Sequence, residues 1–155
     1  MSRSISLDSA AIVTQVSKRT LRRRLSEGQI TRHENDSEGR TMLNFEDIIP
    51  MLCIPLNPED QDLLIKAASG DTEAQNDLAL LFFDADKLET GLHWLKAAAN
   101  QGSPDAMHHL SKLYISGVGT SKDENVGLMW LAKAASMGHP IADQQVKALT
   151  QFRQL

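Results

Sequence analysis

A single cysteine, Cys53, in 155 residues leaves no partner for a disulfide within the chain and no paired thiolates for a metal cluster. Aromatic residues make up only 5%, and no apolar run approaches the roughly 18 residues of a membrane-spanning helix. The first residues lack the apolar core of a signal peptide. What is present, 41% hydrophobic and 23% charged residues, suffices for a core and is too balanced for a disordered or fibrous chain. A soluble, cytoplasmic protein without a membrane partner is expected, built as one domain or two small ones.

Enzyme chemistry is also thinly supplied. His93, His108, His109 and His139 are the histidines that suggest a metal or acid–base site, but no His-Glu-x-x-His string accompanies them. On a helix the adjacent His108 and His109 point to different faces and cannot share one ion. Gly117-Val118-Gly119 has no following Gly-Lys-Ser/Thr and does not follow a strand, so it reads as a turn rather than a phosphate loop. Asp84 and Asp86 fall far short of a calcium loop. No catalytic residue, metal or cofactor is expected.

Charge is unevenly distributed. Residues 1–50 carry eight basic and seven acidic groups, whereas residues 51–155 carry eight and thirteen, so a net charge of −4 hides two opposite halves. Five of the first eight basic residues lie between Lys18 and Arg24. Such a cluster focuses positive potential on an anion, although a charge run is more often a solvated helix face.

Local signals order the first segment. Asp8 or Ser9 can cap a short helix ending near Gln15, Val16 falls in a turn, and Ser17 caps a second helix in which Leu21 and Leu25 face inward. Gly28 suits the left-handed residue that ends it. Residues 29–33 and 40–44 then read as two short strands around an Asn35-Asp36-Ser37 turn, and Phe45 with Ile48 and Ile49 closes a small core. Helix, turn, basic helix and hairpin make a winged helix-turn-helix pattern. A second helix of this kind enters the major groove of duplex DNA. The candidate contacts are Ser17, Lys18, Arg19, Thr20, Arg22, Arg23 and Arg24 on the helix, with Arg32, His33 and Arg40 on the wing. The acidic turn, with Glu34, Asp36 and Glu38, argues against its tip entering the minor groove.

The stretch from Leu7 to Ile48, centred on Val16-Ser17-Lys18-Arg19-Thr20-Leu21, resembles the winged helix of MerR-type regulators and phage excisionases, with Gln15 where many members carry Gly. The resemblance implies that Ser17–Arg24 is the recognition helix, and Arg32–Arg40 the wing. The same fold also serves as a protein-binding adaptor.

The rest of the chain repeats itself. Lys-Ala-Ala recurs at residues 66, 96 and 133, followed by Gly70, Gly102 and Gly138, and then by Ala74, Ala106 and Ala142 at intervals of 32 and 36. Trp94 and Trp130 are also 36 apart. Periods in this range with helical spacing mark a solenoid of helix pairs. First helices are expected near 72–83 and 104–115 and second helices near 88–100 and 124–136. Residues 59–69 read as the last helix of an incomplete leading unit, and 140–153 as a closing helix. These strings resemble the Sel-like branch of the tetratricopeptide superfamily, best over Ala106–Gly138. That likeness implies a scaffold for binding proteins. Against its usual pattern, Ser111 replaces a Gly, and Val126-Gly127 departs from it.

The fold expected is therefore mainly α: a small winged helix-turn-helix domain with a two-stranded wing over residues 1–49, a packed connector over 50–58 holding Cys53 as a small buried hydrophobe, and a short α-helical repeat solenoid over 59–155. The function expected is a DNA-binding transcriptional regulator whose repeats dimerise or recruit a protein partner. The alternative is a protein–protein adaptor that does not touch DNA.

Overall fold

A computed structural model describes residues 2–152, which divide into two compact units between Asp71 and Thr72. In the first unit β1 (Ser4–Ser6) leads into α1 (Leu7–Thr14) and α2 (Lys18–Ser26). Then come β2 (Arg32–His33), β3 (Met42–Asn44), α3 (Phe45–Ile48), a single 3-10 turn at Ile49–Met51 and α4 (Pro58–Ala68). The strands form an antiparallel sheet in the order β1-β3-β2, with Ile5 opposite Leu43 and His33 opposite Met42. Ile5, Val13, Leu21, Leu43, Phe45 and Ile48 close the core from the sheet and helices together.

Two caps set the helix pair. Ser6, not Asp8 or Ser9, caps α1, its hydroxyl accepting from the Ser9 N–H at 3.2 Å. The reason is β1, which the sequence reading lacked: it delivers an extended Ser6 directly to the helix. Gln15 ends α1 in the left-handed conformation (φ 57°), as the position commonly held by Gly in the resembled family requires. Ser17 caps α2 as expected, accepting from Thr20 N–H.

The two expected strands are shorter than the run of residues that suggested them. Gln29 N–H turns back to Arg24 O, and Thr31 N–H donates to the Asp47 carboxylate at 2.8 Å, so only Arg32 and His33 remain for the ladder. At the other strand Arg40 is tied to Asp36, which delays pairing until Met42. Within the connector Ile54 is buried and Cys53 N–H donates to Val13 O at 3.0 Å, while Cys53 itself is only half-buried. The α4 helix lies in the first unit and packs against β1; Arg3 reaches from beside that strand to Asp62 and Gln61 on α4.

The second unit holds two helical hairpins and a further helix: α5 (Thr72–Asp84) with α6 (Leu88–Asn100), α7 (Pro104–Ser116) with α8 (Glu124–Ser136), then α9 (Pro140–Phe152). Ala74, Leu78 and Phe82 from α5 meet Leu95 and Ala99 from α6 in the core. Gly102 and Gly138, at φ 100° and 89°, reverse the chain after each second helix.

Gly127, a departure from the resembled pattern, has a counterpart 36 residues earlier in Gly91. Both stand where a second helix crosses the first. A Cβ on Gly127 would lie 2.6 Å from Ile115 Cγ1 and 3.0 Å from Ser111 O; on Gly91 it would lie 3.0 Å from the Phe83 ring and 3.1 Å from Ala79 O. Backbone so close leaves no space for a methyl group. Alanine gains about 1 kcal/mol over glycine in helix propensity, whereas overpacking costs about 1–3 kcal/mol. Gly127→Ala is therefore expected to lower stability by up to about 2 kcal/mol in urea unfolding. An unchanged or raised midpoint would show that the hairpin opens at no cost.

Candidate functional site

Two surfaces follow from this architecture, one in each unit. In the first, α2 is amphipathic: Leu21 is buried beneath, and Arg19, Arg22 and Arg23 stand exposed above, with Arg24 half-buried. These four arginines have no ion-pair partner among the described residues. The other candidates are engaged locally. Ser17 and Thr20 hydrogen-bond each other at the start of α2 (3.0 Å), and Lys18 Nζ pairs with Asp8 at 2.6 Å. Arg32 donates to Asn35 Oδ1 at 3.0 Å, and His33 is half-buried on β2.

Arg40 closes the turn between β2 and β3. Its guanidinium lies 2.6 Å from Asp36 and 3.5 Å from Glu38. Asp36 also accepts the Arg40 and Glu38 N–H groups, and these donors with the guanidinium hold its carboxyl below the usual aspartate value. The acidic turn is thus partly neutralised from within, and Arg40 is spent there. The ten residues are therefore brought to α2 and the adjoining hairpin, but the uncommitted positive charge is concentrated on Arg19, Arg22, Arg23 and Arg24.

In the second unit the first helices are joined by polar rungs. His109 Nδ1–H donates to Asn76 Oδ1 of α5 at 3.2 Å, and His108 Nε2–H donates to Gln145 Oε1 of α9 at 3.0 Å. With repeats offset by 32 and 36 residues, Asn76 corresponds to His108 and His109 to Gln145, so the two rungs are the same rung one repeat apart. The adjacent histidines do face apart as the helix dictates, each toward a different neighbouring helix. His139 stacks on His108 with ring centroids 4.4 Å apart. Its Nδ1 accepts the Ala142 N–H at the start of α9, and its Nε2–H points to Asp105 at 3.3 Å. No group of three His, Cys, Asp or Glu side chains among the described residues is placed to hold a metal ion. No described helix is long and apolar enough to cross a membrane.

Beside these rungs an apolar groove of about 510 Å³ opens between α7, α8 and α9. Ile115, Leu128, Leu131, Ala148 and Leu149 line it, and Leu149 is 49% exposed. The sequence reading missed this groove. Its signal lies in the repeat itself: Phe83 becomes Ile115 and Lys112 becomes Ala148, and both exchanges remove volume at corresponding positions.

Burial keeps the His108 and His109 pKa values below the ordinary 6.5, and neighbouring positive charge on Lys112 adds to this. A histidine depressed in the folded state binds fewer protons there than in the unfolded chain. Its stabilising contribution is complete above pH 6.5 and declines as pH falls through and below that value. The thermal midpoint should therefore fall between about pH 7.5 and pH 5, and less steeply in a His108→Gln/His109→Gln variant. An identical slope in wild type and variant would place the pH dependence elsewhere.

Residues 72–103 and 104–139 each match the model of the Sel1 repeat. Among curated proteins no significant match is found. Similar solved structures include the following two. One is a Sel1 repeat protein from Oxalobacter formigenes, 36% identical over 56% of this chain and 68% of that one, with a TM-score of 0.51. The other is c5321, a protective antigen of uropathogenic Escherichia coli strains displaying an SLR fold, 31% identical over 60% of this chain with a TM-score of 0.56. The match spans 21% of c5321.

Proposed function

The chain belongs to the Sel1 repeat family, and on that premise we propose that it is a protein–protein interaction scaffold whose second unit holds a protein partner. The observation that carries this is the apolar groove at α7–α9, bordered by exposed Ile115, Leu128 and Leu149, on a stack of helices joined by polar rungs. A preformed apolar concavity with few polar groups is the usual form of a recognition site. Selection of a displayed random-peptide library on the full chain tests the proposal. Recurrent sequences are expected, and a library that yields none would overturn it.

One observation favours a second activity in the first unit. The exposed, unpaired Arg19, Arg22 and Arg23 occupy the helix after the turn, where the resemblance to MerR-type regulators puts a recognition helix. On this reading the protein is a DNA-binding regulator, the repeats dimerise it or recruit its partner, and Ser17, Thr20, Lys18, Arg24, Arg32, His33 and Arg40 surround the contact. Each phosphate neutralised adds about 0.9 to the slope of log affinity against log salt. Titration of duplex DNA should give a steep slope, reduced by roughly 2 in an Arg19→Ala/Arg23→Ala variant if both arginines reach phosphates. No binding at low salt would leave the scaffold alone. Sedimentation of the chain with and without duplex reports whether two copies assemble.

A further inference from the structure

We propose that the surface formed by the first helices of the second unit binds an extended peptide segment carrying bulky apolar residues at one end and lysines or arginines at the other. This rests on the scaffold reading above and specifies the chemistry of the partner.

The apolar half of the argument is the groove. Ala148 stands where the preceding repeat has the longer Lys112, and Leu149 and Leu128 are exposed in the groove beside Ile115. About 510 Å³ lies within the range of preformed ligand pockets and is open to anchoring side chains.

The charged half lies on α5. Glu73, Asp77, Leu80 and Asp84 recur at spacings of four, three and four, which puts them on one helix face, and all four are exposed. None of the three carboxylates has a lysine or arginine partner among the described residues. The repeat offsets carry the same face to Asp105, His109 and Lys112 on α7 and to Ile141, Gln145 and Ala148 on α9. The surface therefore grades from acidic on α5 to apolar on α9. Ile141 is 56% exposed at the apolar end. Lys112 and Glu124 both line the groove, so their opposite charges leave no net preference for a cation there, whereas the α5 carboxylates favour cationic residues of a partner.

Geometry sets the spacing. Neighbouring packed helices lie roughly 8–10 Å apart, so the α7 wall of the groove lies about one such step from the α5 carboxylates and its α9 wall, at Ala148 and Leu149, about two. An extended chain covers that in about five or six residues. A partner with Phe and Leu at one end and cationic residues beginning some five positions later meets both ends of the surface at once.

The test uses labelled synthetic peptides and fluorescence anisotropy with the full chain. The probe is a dodecapeptide with Phe-Leu at one end, a neutral spacer of about five residues and four lysines; its control replaces the lysines with glutamates. The lysine peptide is expected to bind, to weaken as salt rises, and to outbind the glutamate peptide at least tenfold. Ala148→Trp, which fills the groove from an exposed position, and Asp77→Lys/Asp84→Lys, which reverses the charge, should each weaken it at least tenfold. A Leu128→Gln variant serves as a second groove test if circular dichroism shows that Ala148→Trp has lost helicity. No binding, equal binding of the two peptides, or insensitivity to both classes of variant would overturn the proposal. If library-selected peptides bind undiminished to those variants, the scaffold reading stands and this one falls. If the library yields none, the scaffold reading itself fails.

Discussion

The second unit depends on a crossing at which there is no room for a side chain. Where α6 passes α5, and again where α8 passes α7, a glycine lets the helices approach closely: a Cβ on Gly91 would lie 3.1 Å from Ala79 O, and one on Gly127 3.0 Å from Ser111 O. The missing side chain sets how closely each pair of helices lies. The buried residues Leu78, Phe82 and Leu95 in one hairpin, and Leu110 and Leu131 in the next, then have a fixed volume to fill. The hairpins stack because neither can cover its apolar face by itself.

Much of this was legible beforehand because helix ends and repeats are written locally. Ser17 caps its helix with its own side chain, Gly102 and Gly138 reverse the chain, and the recurrence of Ala74, Ala106 and Ala142 marks each first helix. The less legible features rest on contacts between distant residues. β1 is three residues long and pairs with a strand about forty positions away, so nothing in Ser4-Ile5-Ser6 announces it. Helix α4 carries a Lys-Ala-Ala string like the repeats and yet lies with the first unit, where Arg3 draws it toward the sheet.

The candidate surfaces were legible to different degrees. The basic run on α2 is plain in the sequence, but which charges remain uncommitted is not. Asp8 takes Lys18, and Asp36 takes Arg40, across short stretches whose folding only the tertiary structure defines. The groove was hidden for another reason. It arises from smaller residues at two repeat positions, and a search for what repeats passes over the places where the repeat shrinks.

The rungs between first helices consist of two halves. Helix α7 offers one polar side chain to the first helix before it and one, at the adjacent position, to the first helix after it: His109 and His108. A hairpin copied by gene duplication and spliced into the stack would arrive with both halves already in place. The array can therefore lengthen or shorten by whole units without any new polar match having to evolve. Selection is then left free to change the exposed residues that differ from one unit to the next.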